Sequence, residues 1–271
     1  MTPIWLWPNL LSLDAPLVAV LWQWLFAKAL GARLRFSETA LLASCTWSIY
    51  VLDRLMDARR AETRFEPGER HRFYSRHGRK FLPALLAGSV CSAAIALFAL
   101  PRKDNPRGLL LAVLVGVYLL CANRLKGFPK EAAAGFLFAA GVTLPFWQRL
   151  LGAGTFGITS AILFGAACVL NMAAIGFWES LASGRLAVSQ TAEWMGRHLL
   201  ISSLLLAVLA FGLSVRSETF RPVYAAVGAS AFAFLCVARL RPRQPLDVSC
   251  ALIDAALLSP LLTGIHVLIN R

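Results

Sequence analysis

Charge is scarce in this chain. Only 15% of its 271 residues are Asp, Glu, Lys or Arg, against 58% hydrophobic, and the mean hydropathy is +0.64. Soluble domains carry about 25% charge, so an ordinary water-soluble fold is excluded and an integral membrane protein is what remains. Acid is scarcer still, with 14 Asp and Glu against 27 Lys and Arg and a formal net charge of +13. The first 27 residues contain no Lys or Arg. That end therefore lacks the basic region of a secretory signal, and its apolar segment is expected to be retained. The six cysteines (Cys45, Cys91, Cys121, Cys168, Cys236 and Cys250) show no CxxC spacing. A disulfide framework and a thiolate zinc site are not indicated, and the cysteines read as small buried hydrophobes within apolar spans. His71 and His77 stand six apart without a supporting cluster, so they do not suggest a metal site. No nucleic-acid motif is present, and nucleic acid is not an expected partner.

What the chain has in abundance is apolar runs. They recur at 10–31, 37–57, 80–100, 108–123, 131–150, 157–178, 198–215, 222–238 and 247–269, with 108–123 and 222–238 short against the roughly 20 residues of a normal crossing. These runs predict an all-α integral membrane protein of about nine transmembrane helices, a single domain over 1–271 with no soluble appendage. Of the 27 Lys and Arg, 17 fall on the side holding the links after the second, fourth, sixth and eighth spans, and 10 fall opposite. The basic excess marks the cytoplasmic face, with attraction to anionic head groups or a phosphorylated substrate as a second reading of the net charge. Residues 1–9, with Trp5, Trp7 and Pro8, read as an interfacial lead-in, and Trp147 and Trp178 near span ends have the same explanation.

The organising stretch lies where the second span meets a cationic link. Asp53 and Asp57 are four apart, so on a helix they share one face about a turn apart. Like charges so placed repel, and Mg2+ is a natural compensator because it takes one or two protein carboxylates and completes its shell with water and phosphate oxygens. Arg54, Arg59 and Arg60 stand ready for an anion. The alternative is two solvated acids paired with those arginines at a helix end. The link at 58–79 is long enough to suggest a lid or binding loop, or simply a basic cytoplasmic loop.

Other polar groups gather on the same expected side. The fourth span ends in Tyr118, Asn123, Arg124 and Lys126, and the sixth carries Asn171 and Glu179, eight apart and hence on one face, followed by Ser183 and Arg185. Ile49, Asp53 and Asp57 repeat that spacing, so the second and sixth spans look like counterparts in two weakly similar halves, roughly 1–130 and 131–271. The last span holds Asp247 at its start and Asp254 inside it, seven apart. An acid within a span is a functional candidate, with pairing to a polar neighbour as the competing explanation. Asp14 at the start of the first span faces the interior or solvent.

These motifs resemble the UbiA superfamily of intramembrane prenyltransferases across nearly the full length. Members carry nine transmembrane helices and two Asp-rich motifs after the second and sixth, NDxxDxxxD and a similar DxxxD. Here Ile49 and Tyr50 precede Asp53 and Asp57, so the last two acids are kept and the leading Asn and Asp are absent. The run Tyr118 to Arg124, Leu125 and Lys126 resembles the family's Tyr…Arg-Leu-Lys stretch. In the second motif Asn171 matches the family Asn, Ile175 replaces an Asp and Glu179 stands for the final acid. A register with Glu179 first and Ser183 second also leaves one carboxylate.

The resemblance implies one bundle around a central chamber, in the inner membrane of a bacterial cell with its active-site loops cytoplasmic. It further implies Mg2+ on Asp53, Asp57 and Glu179. A prenyl diphosphate would then meet Arg59, Arg60, Tyr118, Arg124, Lys126, Asn171 and Arg185, with Asp254 as the polar group beside a lipophilic or aromatic acceptor. Prenyl transfer is the leading expectation. An intramembrane terpene cyclase and a non-catalytic protein that binds lipid or a partner are the others. A transporter is disfavoured because the ionisable residues gather at one face.

Charge asymmetry makes the first prediction. Single cysteines placed at Arg64, Lys126, Arg185 and Arg241 should all be labelled from the cytoplasmic side by a membrane-impermeant maleimide. Labelling of Arg64 and Arg185 positions from opposite sides would separate the two half-motifs.

Overall fold

A computed structural model describes residues 6–61, 69–99, 105–125, 127–184 and 189–263, with the side chains of 57–61, 69–71, 105 and 123 outside the description. Among the described residues every regular element is a helix. The expected first span is two helices, α1 (Trp7–Leu10) and α2 (Asp14–Ala29). Ser12, at φ 53°, makes the break. The strain is held because its hydroxyl lies 3.0 Å from the Tyr74 hydroxyl and Trp47 Nε1 donates to the Leu11 carbonyl at 3.1 Å.

Next come α3 (Phe36–Ala61) and α4 (Glu69–Ala94), the latter extended by a π-helical turn over Ile95–Ala99. The polar segment 69–79, expected as part of a link, is thus the first three turns of α4. Its Arg and Glu are good helix formers, and its Tyr74 packs with Phe81 against Val51 and Leu55 of α3. Then follow α5 (Asn105–Arg124), α6 (Lys130–Thr143) and α7 (Trp147–Gly152). Between the last two, Leu144–Phe146 tightens to a 3-10 turn around Pro145, which has no amide hydrogen to continue the helix. The chain is completed by α8 (Gly154–Ser183), α9 (Gln190–Arg197), α10 (Leu199–Arg216), α11 (Arg221–Leu240) and α12 (Leu246–Ala255). Gly184, at φ 63°, ends α8, and Ser189 caps α9 by accepting from the Ala192 amide at 3.0 Å.

Among the described residues five helical stretches are long and apolar enough to cross a membrane: Arg72–Ala99, Gly154–Ser183, Leu199–Arg216, Arg221–Arg243 and Leu246–Thr263. Of the rest, α2 has 16 residues and α6 has 14, while α3 carries Glu38, Asp53, Arg54 and Asp57 along its length. The outward faces of α4, α5 and α10 expose Leu86, Leu109 and Leu205, as lipid contact requires. Cys91 and Cys236 are exposed as well. The expectation that all cysteines are buried is corrected there, since in lipid an apolar side chain gains little by facing inward. Trp178 corrects the other way. It is 5% exposed and has Arg241 over its ring at 5.7 Å, so it is a core residue with a cationic cover.

The core is built around α8. Trp22 of α2 stacks on Phe164 with ring centroids 4.1 Å apart and donates Nε1 to the Leu257 carbonyl at 2.8 Å. One indole thereby ties α2, α8 and the end of α12 together. On its other side α8 meets α6 so closely that a Cβ on Gly135 would lie 2.6 Å from the Val169 side chain and 2.7 Å from its backbone nitrogen. Small residues let apolar helices approach where lipid offers no hydrophobic drive.

That contact makes the second prediction. Gly135→Ala should destabilise the protein by about 1–3 kcal/mol through overpacking, lowering the melting temperature in detergent. Gly212→Ala, with open space around its Cβ position, should leave it unchanged.

Candidate functional site

A chamber of about 1150 Å³ lies among α2, α3, α5, α6, α8 and α12. Along α3 it runs from Glu38 to Asp53, fifteen residues or roughly 22 Å of helix. Its body is walled by small and aliphatic side chains such as Leu42, Val115, Leu137 and Gly141. Glu38 and Arg107 line it away from the Asp53 end, but most charged groups collect at that end, so the chamber has a largely apolar body and a polar mouth.

The mouth is assembled from distant parts of the chain. Asp53 and Arg54 come from α3, Tyr118 from α5, Lys130 and Glu131 from α6, Asn171 and Glu179 from α8, Asp254 from α12, and Asp14 from α2. Sequence reasoning placed Asp53, Tyr118, Asn171, Glu179 and Asp254 in one site, and all five line this chamber. Asp53 and Asp57 do share one helix, as their spacing required. The side chains of Asp57, Arg59 and Arg60, together with Lys126 and Arg185, lie outside the described residues. Arg124 is exposed at the end of α5 and is not part of the chamber wall. Its side chain meets the surroundings at a helix terminus, where a long cation is readily solvated.

Two carboxylates are held together by amides. Asn9 Nδ2 donates to Asp14 Oδ2 at 2.8 Å and to Asp254 Oδ2 at 2.9 Å. Asn171 Nδ2 donates to Asp254 Oδ1 at 3.2 Å and to the Ile253 carbonyl at 3.0 Å. Each oxygen of Asp254 is therefore engaged, and α1, α8 and α12 are bound through one acid. Asp14 faces the interior, resolving its two readings, whereas Asp247 does not line the chamber. Tyr50 lies within electrostatic reach of Asp254, Asp14 and Arg54.

Glu131 is the residue that the sequence reading passed over. It is 4% exposed and lines the chamber. Ser189, the cap of α9, donates to its Oε2, and Oε1 has no partner among the described residues. The signal was available, because an acid at the first position of an apolar span had already singled out Asp14 and Asp247. Among the described residues no group of three His, Cys, Asp or Glu is placed to hold a metal. The chamber thus combines carboxylates, amides and two cations at one end with a water-poor body, an arrangement suited to a ligand with a polar head and an apolar tail.

Compared with known proteins, the chain matches no family model, no curated protein and no solved structure.

The amide clamp makes the third prediction. Asn171→Leu removes the donor from Asp254 Oδ1 and the Ile253 carbonyl, and should destabilise the protein by about 1–3 kcal/mol. A detergent melting curve unchanged from the parent would show that the clamp contributes nothing.

Proposed function

We propose that this chain is a Mg2+-dependent intramembrane prenyltransferase of about nine crossings, moving an isoprenyl group from a prenyl diphosphate to a lipophilic or aromatic acceptor. The observation that carries the reading is the meeting, in one chamber, of Asp53 from the first half-motif with Asn171 and Glu179 from the second, beside Tyr118. Residues 118 positions apart in sequence thus line one cavity, which supports reading the two half-motifs as parts of one site. In this reading the enzyme is a multi-pass protein of a bacterial inner membrane and the polar mouth faces the cytoplasm.

The donor set suits a hard, hydrated cation. Asp53 and Asp57 stand one turn apart on α3, and Mg2+ needs only one or two protein carboxylates when phosphate and water complete its shell. Glu179, on the facing helix, would be the further ligand. When bound, Mg2+ neutralises diphosphate charge and makes it a better leaving group. The protein's own cations in the wall, Arg54 and Lys130, stabilise the negative charge that collects on the leaving oxygens, and Arg59, Arg60, Lys126 and Arg185, whose side chains lie outside the described residues, are the further candidates from the sequence. The aliphatic body takes the isoprenoid tail and keeps water from the allylic carbon. Asp254 is fully engaged by Asn9 and Asn171, so in this reading it positions the polar wall, and Glu131 with its unpaired Oε1 is the acid free to accept a proton from an acceptor.

Wall composition favours transfer over cyclisation. A migrating cation is stabilised by aromatic faces, and the chamber presents only Tyr50, Tyr118 and Phe138 among the described residues. A non-catalytic lipid-binding protein would need the same apolar body, and loss of the second motif's middle acid at Ile175 is the feature that favours it.

The test is mass spectrometry of lipid products from membranes supplied with prenyl diphosphates, Mg2+ and candidate acceptors. A prenylated acceptor is expected, with turnover falling about 100-fold or more in Asp53→Asn or Asp57→Asn and strongly in Glu179→Gln. Cyclic terpene formed without any acceptor would establish the cyclase. Undiminished Mg2+ and diphosphate binding in both Asp variants would favour the non-catalytic protein.

A further inference from the structure

One buried amide in the body of the chamber is unaccounted for by a polar mouth and an apolar tail site. Gln23 of α2 is 1% exposed and borders the chamber. Neither its Nε2 nor its Oε1 has a hydrogen-bond partner among the described residues, and no other described side chain leaves two buried polar atoms unmet. Ser48 and Ser203 each leave a single hydroxyl oxygen unmet, while other buried hydroxyls in the bundle are satisfied. Thr143 donates to the Ala139 carbonyl at 2.8 Å, Ser160 to Gly157 at 2.7 Å and Ser259 to Ala226 at 2.8 Å.

The helix cannot turn Gln23 away. Its neighbour Trp22 is fixed by the Phe164 stack and the Leu257 carbonyl, and Phe26 is wholly buried one turn on. Rotating α2 to move the amide would withdraw both aromatics from the core. A Gln locked beside an apolar cavity, with a donor and an acceptor both idle, is unfavourable unless something in that cavity engages it.

We infer that Gln23 forms a second polar subsite in the body of the chamber that recognises the hydroxyl of a lipophilic alcohol or phenol. An uncharged hydroxyl accepts from Nε2 and donates to Oε1. A carbonyl would satisfy only the nitrogen, and a charged group would be costly in this apolar surrounding. Gln23 lies nine residues beyond Asp14 along α2, about 13 Å from the mouth, so the hydroxyl it reads is remote from any group reacting there. The subsite stands on the orphaned amide and the chamber, and holds for a transferase and for a lipid-binding protein alike.

The experiment measures equilibrium binding of radiolabelled geranylgeraniol and of its methyl ether to the full chain in phosphatidylcholine nanodiscs. The ether keeps the chain and the oxygen but cannot donate. The parent should prefer the alcohol by about 10-fold, and Gln23→Leu should reduce that preference to within about 2-fold while keeping ether binding. The melting temperature of Gln23→Leu without added ligand should equal or exceed that of the parent, because the idle amide is gone. The preference should persist in Asp53→Asn, whatever that variant does to turnover, which separates this inference from the transferase reading. An alcohol preference that is absent in the parent or survives in Gln23→Leu would overturn it. So would a preference lost in Asp53→Asn, which would place the hydroxyl at the mouth, or a lowered melting temperature in Gln23→Leu with binding of both probes lost, which would make the amide structural.

Discussion

The polar mouth depends on how Asp254 is held. A carboxylate inside an apolar bundle is tolerated only with partners, and this one takes a hydrogen bond on each oxygen from amides that belong to α8 and to the segment before α2. Asn9 extends the arrangement to Asp14, so one primary amide sits between two acids and offsets their repulsion with its two hydrogens. Because Asn9 and Asp254 come from opposite ends of the chain, the same bonds that solvate the acid internally also close the bundle. Chemistry and architecture share these contacts, and the mouth cannot be rearranged without loosening α12.

The apolar side of the design rests on close helix approach. Gly135 and Gly165 bring α6 against α8, with Val169 and Phe136 filling the room that their missing side chains leave. Trp22 secures the opposite flank of α8. With α8 gripped on both flanks, the face bearing Asn171, Ile175 and Glu179 is presented to the chamber. Position 175 is where the resemblance expects an acid and this chain has Ile. It contributes apolar wall there, so α8 supplies only Glu179 and the other carboxylates of the mouth, Asp14, Asp53, Glu131 and Asp254, come from four other helices.

Much of this was legible in the residues. Composition announces a helical membrane protein, and once the apolar spans are taken as helices the four-residue spacing of Asp53 and Asp57 and the eight-residue spacing of Asn171 and Glu179 each imply a shared face; an acid within the last span marks Asp254. What escaped has definite physical causes. The partner of Asp254 is 245 residues away in Asn9, and no local pattern encodes such a contact. The start of α4 at Glu69 was hidden because charge reads as a link when hydropathy is the guide, although Arg and Glu propagate helix well. The short α9 is amphipathic but polar on average, so a search for apolar runs passes over it, and Trp178 was assigned to the membrane boundary because its cover, Arg241, belongs to another helix. Gln23 looked unremarkable in sequence, since only burial reveals that an amide lacks partners.

The chamber is not sealed from the side. Leu97, in the π-helical turn, and Leu109, near the start of α5, both line it and both are 68% exposed, while α5 packs chiefly on α6. Side chains of the π-helical turn and of α5 that line the chamber are therefore also among the exposed apolar ones, and on this side acyl chains can reach it. A ligand arriving there is drawn from a two-dimensional reservoir, and occupancy follows its mole fraction in the bilayer. Diluting the membrane with inert lipid at constant bulk concentration would empty the chamber, whereas adding water would not.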